Sequence, residues 1–471
     1  MDRRELRGAL ALAAFASLLL FFDVGVRVFA SNDEARFAVL ARDILDHRTW
    51  LLPRLGDTPY LNKPPLVAWL IALVSSPVGG VTQSTAIWPS LAAGSGITLL
   101  TWWIGRRLWD QAVGLTAGFV VLTMHGVFTQ ARTAMPDIVL CLAMTGAMAA
   151  HAAAEFGGRR NAMMGCHVLL ALGFMAKGPV AALGLAVIAA HALITGEGSW
   201  WRRLTPLRSS FVIVPLIGPW WIAAFSRRGG EFVHDTVIVD WLQWFDPSVR
   251  VGWHALLSPF VQTLTIVLPW SPLLPVALVM ALRAGNRMPA GRLAFLVCWL
   301  VVIMGAVALS SQQRMRYYLP LCPPAALLIA LWYHRVLPRR SLRLAWATAA
   351  TVAAALVTWQ VHDDIAHNAG VDLRAVAATT VRDEPLYTIG VPNLVVAFYL
   401  DRSVQALDAV PLTAGRLAPG YFLVDDRAMS RWPPACVTDR LGAGAANRRP
   451  FSVLRLARPG CAEKEGLPSA G

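Results

Sequence analysis

Charge is scarce in this chain. Only 15% of its 471 residues are Asp, Glu, Lys or Arg, while 56% are hydrophobic. A soluble protein carries about a quarter charged residues, so a soluble globular domain of this length is excluded. Cysteine is also sparse: there are six, and none forms a C-x-x-C pair. Cysteine-based metal sites are therefore not suggested. Signatures for ATP or other nucleotides are missing, and so is the internal repeat that transporters often show.

What the chain has is long apolar runs. Gly8–Phe29, Phe211–Phe225 and Leu342–Val361 are each about the length needed to cross ~30 Å of hydrocarbon as a helix, and mean hydropathy is +0.52. This is the pattern of a multi-pass membrane protein. The net charge of +14 does not indicate nucleic-acid binding, because the arginines stand in short groups between apolar runs, as the positive-inside rule produces. Arg3, Arg4, the first apolar run and Val28-Phe29-Ala30 imitate a signal peptide. The run is long for an h-region, and retention is the expectation.

With Arg3, Arg4 and Arg7 holding the N-terminus in the cytoplasm, the first span delivers Asp33 to the outer face. Further spans are expected at 85–105, 112–130, 135–154, 162–176, 179–195, 209–226, 256–282, 293–310, 317–335 and 343–361. The ambiguous segment is Pro64–Val78. If it crossed, Arg106, Arg107 and every later arginine group would fall outside. Read instead as a short interfacial helix opened by Pro64 and Pro65, it returns those groups to the cytoplasm. The expectation is eleven spans over 1–362, and a small extracytoplasmic α/β domain over 363–471 with a flexible end. The strand-like stretches "EPLYTIGVPNLVVAFYL" and "GYFLVDD" lie in that tail. So do Cys436 and Cys461, where a disulfide could form. Cys141, Cys166, Cys298 and Cys322 sit in apolar spans and read as packing residues.

This topology gathers the costly polar residues on one side. The first outer loop, beginning "SNDEARFAVLARDIL", holds Asp33, Glu34, Arg36, Tyr60 and Lys63. "QARTAMPD" adds Arg132 and Asp137, and "MAKGP" adds Lys177. "SSQQRMRYYLP" brings Arg314, Arg316, Tyr317 and Tyr318. Ionisable groups at membrane depth usually face a cavity or a partner. Each also has an ordinary reading. Asn32 can cap a helix whose first turn Asp33 and Glu34 stabilise; Arg314 and Arg316 can touch headgroups. His234, His254 and the Trp-rich loop around them read as incidental or interfacial. Taken together, arginines, lysines and tyrosines at an outer cavity suit a lipid-linked phosphate, and a neighbouring carboxylate can take a proton from an attacking hydroxyl. That combination suggests glycosyl transfer from a polyprenyl carrier. A lipid or solute transporter or flippase and a non-catalytic scaffold are the alternatives.

Quoted in order, "NDEARFAVLARDIL…W…PRL…PYLNKPPLVAWL", "ARTAMPD", "MAKGPVAAL", "GPWW", "WHALLSPF…LPWSPLLP" and "RMRYYLPLCPPAALL" resemble the bacterial relatives of protein O-mannosyltransferases, notably the aminoarabinose transferases that modify lipid A. The resemblance spans roughly residues 8 to 340. It implies the GT-C fold, an all-α polytopic membrane bundle with juxtamembrane helices in the first outer loop, set in a bacterial inner membrane with the active site facing the periplasm. It also implies a polyprenyl-phosphate sugar as donor and a lipid, glycan or protein as acceptor. By the same resemblance Asp33 is the catalytic carboxylate, with Glu34 beside it and Asp137 as a second, orienting carboxylate. Arg36, Tyr60, Lys63, Lys177 and a tyrosine of the Tyr317–Tyr318 pair would hold the donor phosphate, with Arg314 and Arg316 at its mouth. One departure stands out: the aminoarabinose transferases tend to carry Glu before the loop lysine, where it helps bind a metal, and this chain has Asn62. A neutral amide is a poor ligand for a transition metal. No cofactor is expected, and no metal is predicted.

Overall fold

The computed structural model describes residues 3–455 except 30, 160, 197–205, 244–253, 285–289, 337–340, 370, 408–419, 430–438 and 447–448. The proposed Cys436–Cys461 pair lies outside the described residues.

The apolar runs fold as helices: α1 (Arg3–Phe21), α4 (Gln83–Leu108), α5 (Gln111–Leu122), α6 (His125–Ala131), α7 (Pro136–Glu155), α8 (Ala162–Lys177) and α9 (Leu183–Ile194). Further along come Pro206–Arg228, His254–Val267, Leu273–Ala284, Ala290–Ala308, Cys322–Val336 and Ser341–Ala369. A reciprocal capping box between Thr82 and Thr85 starts α4. Its far end crosses α5 closely, because a Cβ on Gly105 would lie 2.8 Å from Gly114 Cα and one on Gly114 would lie 2.5 Å from Trp102 O. At the same end Arg106 Nε and Nη2 donate to the two oxygens of Glu5 at 3.0 and 2.9 Å, which fastens α1 to the pair.

Two expected spans are broken. The segment 112–130 bends by 63° between α5 and α6. There the Thr123 hydroxyl bonds back to Phe119 O at 2.7 Å, and His125 N leaves the helix for Leu268 O at 2.7 Å, a known way to bend a helix. The segment 256–282 is two helices, parted where Pro269 and Pro272 remove backbone donors. Among the described residues four helices are long and apolar enough to cross a membrane, or five with the bent pair counted, alongside several shorter apolar helices.

The stretch between α1 and α4 carries α2 (Asn32–His47), the hairpin β1 (Arg54–Leu55) and β2 (Thr58–Pro59), and α3 (Leu66–Ser75). Ten residues of α3 rise ~15 Å, half the hydrocarbon thickness. Ser31, not Asn32, caps α2: its backbone is extended (φ −128°, ψ 153°) and its side chain accepts from Glu34 N. Asn32 is already helical and turns its amide to the C-terminal part of the chain. That part contains β3 (Leu386–Ile389), β4 (Gln405–Leu407), β5 (Tyr421–Asp425), β6 (Asp439–Ala446) and β7 (Arg449–Arg455) in one sheet of order β4-β3-β5-β7-β6. β3 runs parallel to β4 and β5; β7 runs antiparallel to β5 and β6.

The helix Asn393–Leu400 docks this sheet onto α2. Asn32 exchanges hydrogen bonds with Asn393 Oδ1 and Leu394 N, both at 2.9 Å, and Arg42 donates to Asp401 and Phe398 O, both at 3.0 Å. On the bundle side, Glu34 meets Arg27 at 2.6 Å, and Arg27 and Arg132 flank Asp364 at 3.6 and 3.8 Å. α2 is therefore held between the sheet and the bundle.

Overpacking a tight crossing costs ~1–3 kcal/mol. Gly114→Val should lower the melting temperature of the detergent-purified protein by several degrees. Gly305→Ala, where an added Cβ meets nothing within 4 Å, should leave it in place. Equal behaviour of the two would show that the α4–α5 contact does not carry stability.

Candidate active site

The first turn of α2, the start of α7, the end of α8 and the 3₁₀ segment Met315–Leu321 converge at one mouth. Asp33 is the point of convergence. Its Oδ1 accepts from Arg36 at 3.1 Å, one helical turn on. Its Oδ2 accepts from Arg316 at 2.9 Å and from Arg314 at 3.4 Å. Burial pushes the Asp33 carboxyl up, but Arg316, Arg36 and Arg314 outweigh it and hold the group below the usual carboxylate value of 3.8.

Arg316 continues inward, its Nε 3.8 Å from Asp137 Oδ2. Asp137, in the first turn of α7, also takes a hydrogen bond from Lys177. Both members of that pair are almost fully buried, and the Lys177 ammonium stands 4.2 Å from the centre of the Tyr317 ring. Charges therefore alternate along a line: Asp33, Arg316, Asp137, Lys177. Lys63 reaches the same wall from the loop before α3, and among the described residues it has no ion-pair partner.

The space around this line has two joined compartments. The outer one, about 220 Å³, is polar and bounded by Asp33, Arg36, Arg314 and Gln312. The inner one, about 160 Å³, is apolar, between Leu140, Val180, Leu183, Val307 and Pro320. Lys63, Asp137, Lys177, Arg316, Tyr317 and Asp240 border both. A phosphate on the shared wall would have an apolar chamber on one side and a polar mouth on the other.

Most of the residues singled out from sequence meet here: Asp33, Arg36, Lys63, Asp137, Lys177, Arg314, Arg316 and Tyr317. Three do not line the space. Tyr318 is fully buried and its hydroxyl donates to Gln313. Tyr60 lies under the Arg36 guanidinium, 5.8 Å from ring centre to carbon. Glu34 turns away to Arg27. Arg132 is also structural, donating to Leu20 O and Phe22 O at 2.9 and 2.5 Å. Two lining residues lack any sequence signal of their own, Asp240 and Trp241. They stand at the end of an apolar stretch in the Trp-rich loop, where a single acid beside an aromatic has no diagnostic spacing.

The family resemblance raises a metal, and the donor set here does not suit one. Among the described residues no three of His, Cys, Asp or Glu stand together as ligands, and the loop position is Asn62.

Residues 62–222 match the family model described as dolichyl-phosphate-mannose-protein mannosyltransferase. The chain is 28% identical over 338 residues to undecaprenyl phosphate-alpha-4-amino-4-deoxy-L-arabinose arabinosyl transferase 2 of Proteus mirabilis, covering 70% of this chain and 60% of that protein. The transferase of the same name from Pectobacterium atrosepticum is 28% identical over 345 residues, 71% of this chain and 60% of that one. The chain thus spans about 60% of the length of the curated relatives it matches. Among solved structures, ArnT from Cupriavidus metallidurans bound to undecaprenyl phosphate superposes with a TM-score of 0.76 at 16% identity, over 96% of this chain and 98% of that one. The Archaeoglobus fulgidus oligosaccharyltransferase reaches 0.57 at 12% identity, over 89% and 69%. The helical bundle has the fold of these GT-C structures. The sequence is similar to the aminoarabinose transferases and, over residues 62–222, to the mannosyltransferase family model.

The depressed Asp33 carboxyl has a signed consequence. Its stabilising charge is fully present above the unfolded-state value and is lost as pH falls through the lower folded-state value. The melting-temperature gap between wild type and Asp33→Asn should hold from about pH 8 down to about pH 5 and close only below about pH 4. A gap that closes near neutral pH would contradict the arginine clamp.

Proposed function

We propose that this protein is an integral-membrane glycosyltransferase. It moves a sugar from a polyprenyl-phosphate donor to an envelope acceptor on the outer face of the bacterial inner membrane. The observation that carries the reading is the single carboxylate Asp33, clamped by three arginines at the mouth of a cavity whose wall carries Lys63, Lys177 and Tyr317. The similarity to undecaprenyl-phosphate-dependent arabinosyl transferases supports the donor class. Eleven spans, a cytoplasmic N-terminus and a C-terminal domain beginning near residue 363 complete the proposed topology.

In this reaction an acceptor oxygen attacks the anomeric carbon while the bond from that carbon to the donor phosphate oxygen breaks. Attack from the opposite face inverts the configuration. The leaving phosphate gains charge as the bond breaks, and Lys63 and the arginines at the mouth stabilise that developing charge. Lys177 is already offset by Asp137, so it serves mainly to hold Tyr317 and the wall in place. An acceptor hydroxyl gives its proton to Asp33. A carboxylate held below its ordinary range is a weak base, which favours an acceptor that is itself a phosphate, as on a lipid A-like glycolipid. There Asp33 orients the acceptor without taking a proton.

The test compares envelope lipids by mass spectrometry in cells lacking the gene and in cells complemented with wild type, Asp33→Asn or Lys63→Ala. Deletion should remove a sugar-sized mass from one envelope molecule and let a loaded polyprenyl phosphate accumulate. Each variant should fall at least ~100-fold in rate, about 2.7 kcal/mol of barrier. Full restoration of the product by Asp33→Asn would remove the catalytic assignment.

A further inference from the structure

Asp240 and Trp241 belong to the cavity wall, yet the phosphate chemistry leaves them unused. Both lie in the π-helical segment Val233–Leu242. π-helical turns are rare and recur at functional sites; this one is fixed from outside. Thr236 Oγ1 donates to Leu61 O at 3.2 Å, next to Asn62 and Lys63. The buried Phe232 packs on Trp220 and Trp221, with ring centres 5.7 and 5.2 Å apart.

Trp241 is wedged in turn. Its ring lies 5.8 Å from both Phe174 and Trp221. It also rests on Gly178, which has φ +79° and where a Cβ would come within 3.2 Å of the indole nitrogen. The positive φ favours glycine there and a Cβ would press on the indole, and the contact brings the indole beside Lys177 at the inner compartment. Asp240, one residue earlier, borders both compartments.

The three carboxylates of this wall are not equivalent. Asp33 and Asp137 are each held by cations. Among the described residues Oδ2 of Asp240 is buried and has no hydrogen-bond partner. A buried acceptor left without a donor costs ~1–3 kcal/mol, more when charged, so this oxygen is matched to a donor that arrives from outside. An aromatic face beside a free carboxylate suits a sugar ring: the indole covers apolar C–H groups, and the carboxylate takes a hydroxyl or ammonium hydrogen bond.

We infer that Asp240 and Trp241 form the subsite for the donor's sugar ring, while Lys63 and the arginines hold its phosphate. The inference rests on the donor class proposed above. Asp240 is here a specificity residue, and its partner on the sugar is an O–H or N–H donor. An ammonium is favoured where the sugar has one.

The test measures affinities of the full-length protein in detergent for three lipids: bare undecaprenyl phosphate, the same lipid carrying an aminopentose, and the lipid carrying a neutral hexose. Wild type should hold at least one loaded lipid more tightly than the bare one. Asp240→Asn and Trp241→Ala should each weaken the loaded lipid about tenfold and leave the bare lipid unchanged. Asp240→Glu and Trp241→Phe should lose less. A larger loss with the aminopentose than with the hexose identifies the ammonium as the partner, and equal losses identify a hydroxyl. Variants that weaken bare and loaded lipid alike, or neither, overturn the subsite. Equal wild-type affinity for all three lipids also overturns the subsite and leaves the donor class standing. Failure of wild type to bind any of them overturns the donor class and the subsite with it.

Discussion

The alternation Asp33, Arg316, Asp137, Lys177 is the constraint around which the site end of this bundle is built. Its members come from α2, the 3₁₀ segment Met315–Leu321, α7 and α8, four elements far apart in sequence. Asp137 and Lys177 are almost fully buried, Arg316 and Asp33 partly so, and each charge is met by the next. Deleting one partner of the buried Asp137–Lys177 pair leaves an uncompensated charge worth ~3–5 kcal/mol of destabilisation. The four elements therefore cannot separate or slide independently. A fixed set of charges is what a site needs if its field is to meet the transition state without reorganising.

A second set of contacts holds the helix that presents Asp33. On one side Glu34, Arg27, Asp364 and Arg132 join α2 to the turn after α1, the helix Ser341–Ala369 and the end of α6. On the other, Asn32 and Arg42 tie it to the helix Asn393–Leu400. Phe29 N donates to Tyr399 Oη at 2.7 Å, and Tyr399 donates on to Gln83 at 2.9 Å. The chain after the last apolar helix thus returns to brace the stretch between α1 and α4. Its contribution to the site is rigidity at long sequence range, with no side chain in the cavity lining described above.

The sequence made the helices and their order legible because apolar runs of membrane length punctuated by arginines have few other physical explanations. It left the breaks at Thr123 and at Pro269–Pro272 hidden, because a run's composition does not reveal where its hydrogen bonds are diverted. The ionisable residues of the site were visible for the same reason that they are costly: each interrupts apolar context. What failed was resolution by one residue. Neighbouring positions point ~100° apart in an α-helix and ~120° in a 3₁₀ turn, so Asp33 faces the cavity while Glu34 faces Arg27, and Tyr317 faces it while Tyr318 turns inward. The cap moved from Asn32 to Ser31 because tertiary contacts claimed the amide. Asp240 and Trp241 depend on a π-helical turn and on a glycine 63 positions earlier, a relation that spacing within the loop does not express.

The charge balance of the wall bears on the proposed reaction. Arg36, Lys63, Lys177, Arg314 and Arg316 face Asp33, Asp137 and Asp240, which leaves a surplus of two positive charges. A sugar-loaded polyprenyl phosphate is a diester with one negative charge and only half fills that surplus. When the anomeric bond breaks, the departing monoester carries ~−1.5 to −2 and balances it. The wall is therefore more complementary to the separated charge of the late transition state than to the bound donor, which is the differential binding that accelerates a reaction. Breaking the bond also raises the phosphate's own hold on this wall, while the sugar contacts that favour the loaded donor end with transfer, so the two effects oppose each other in the release of polyprenyl phosphate, the proposed product.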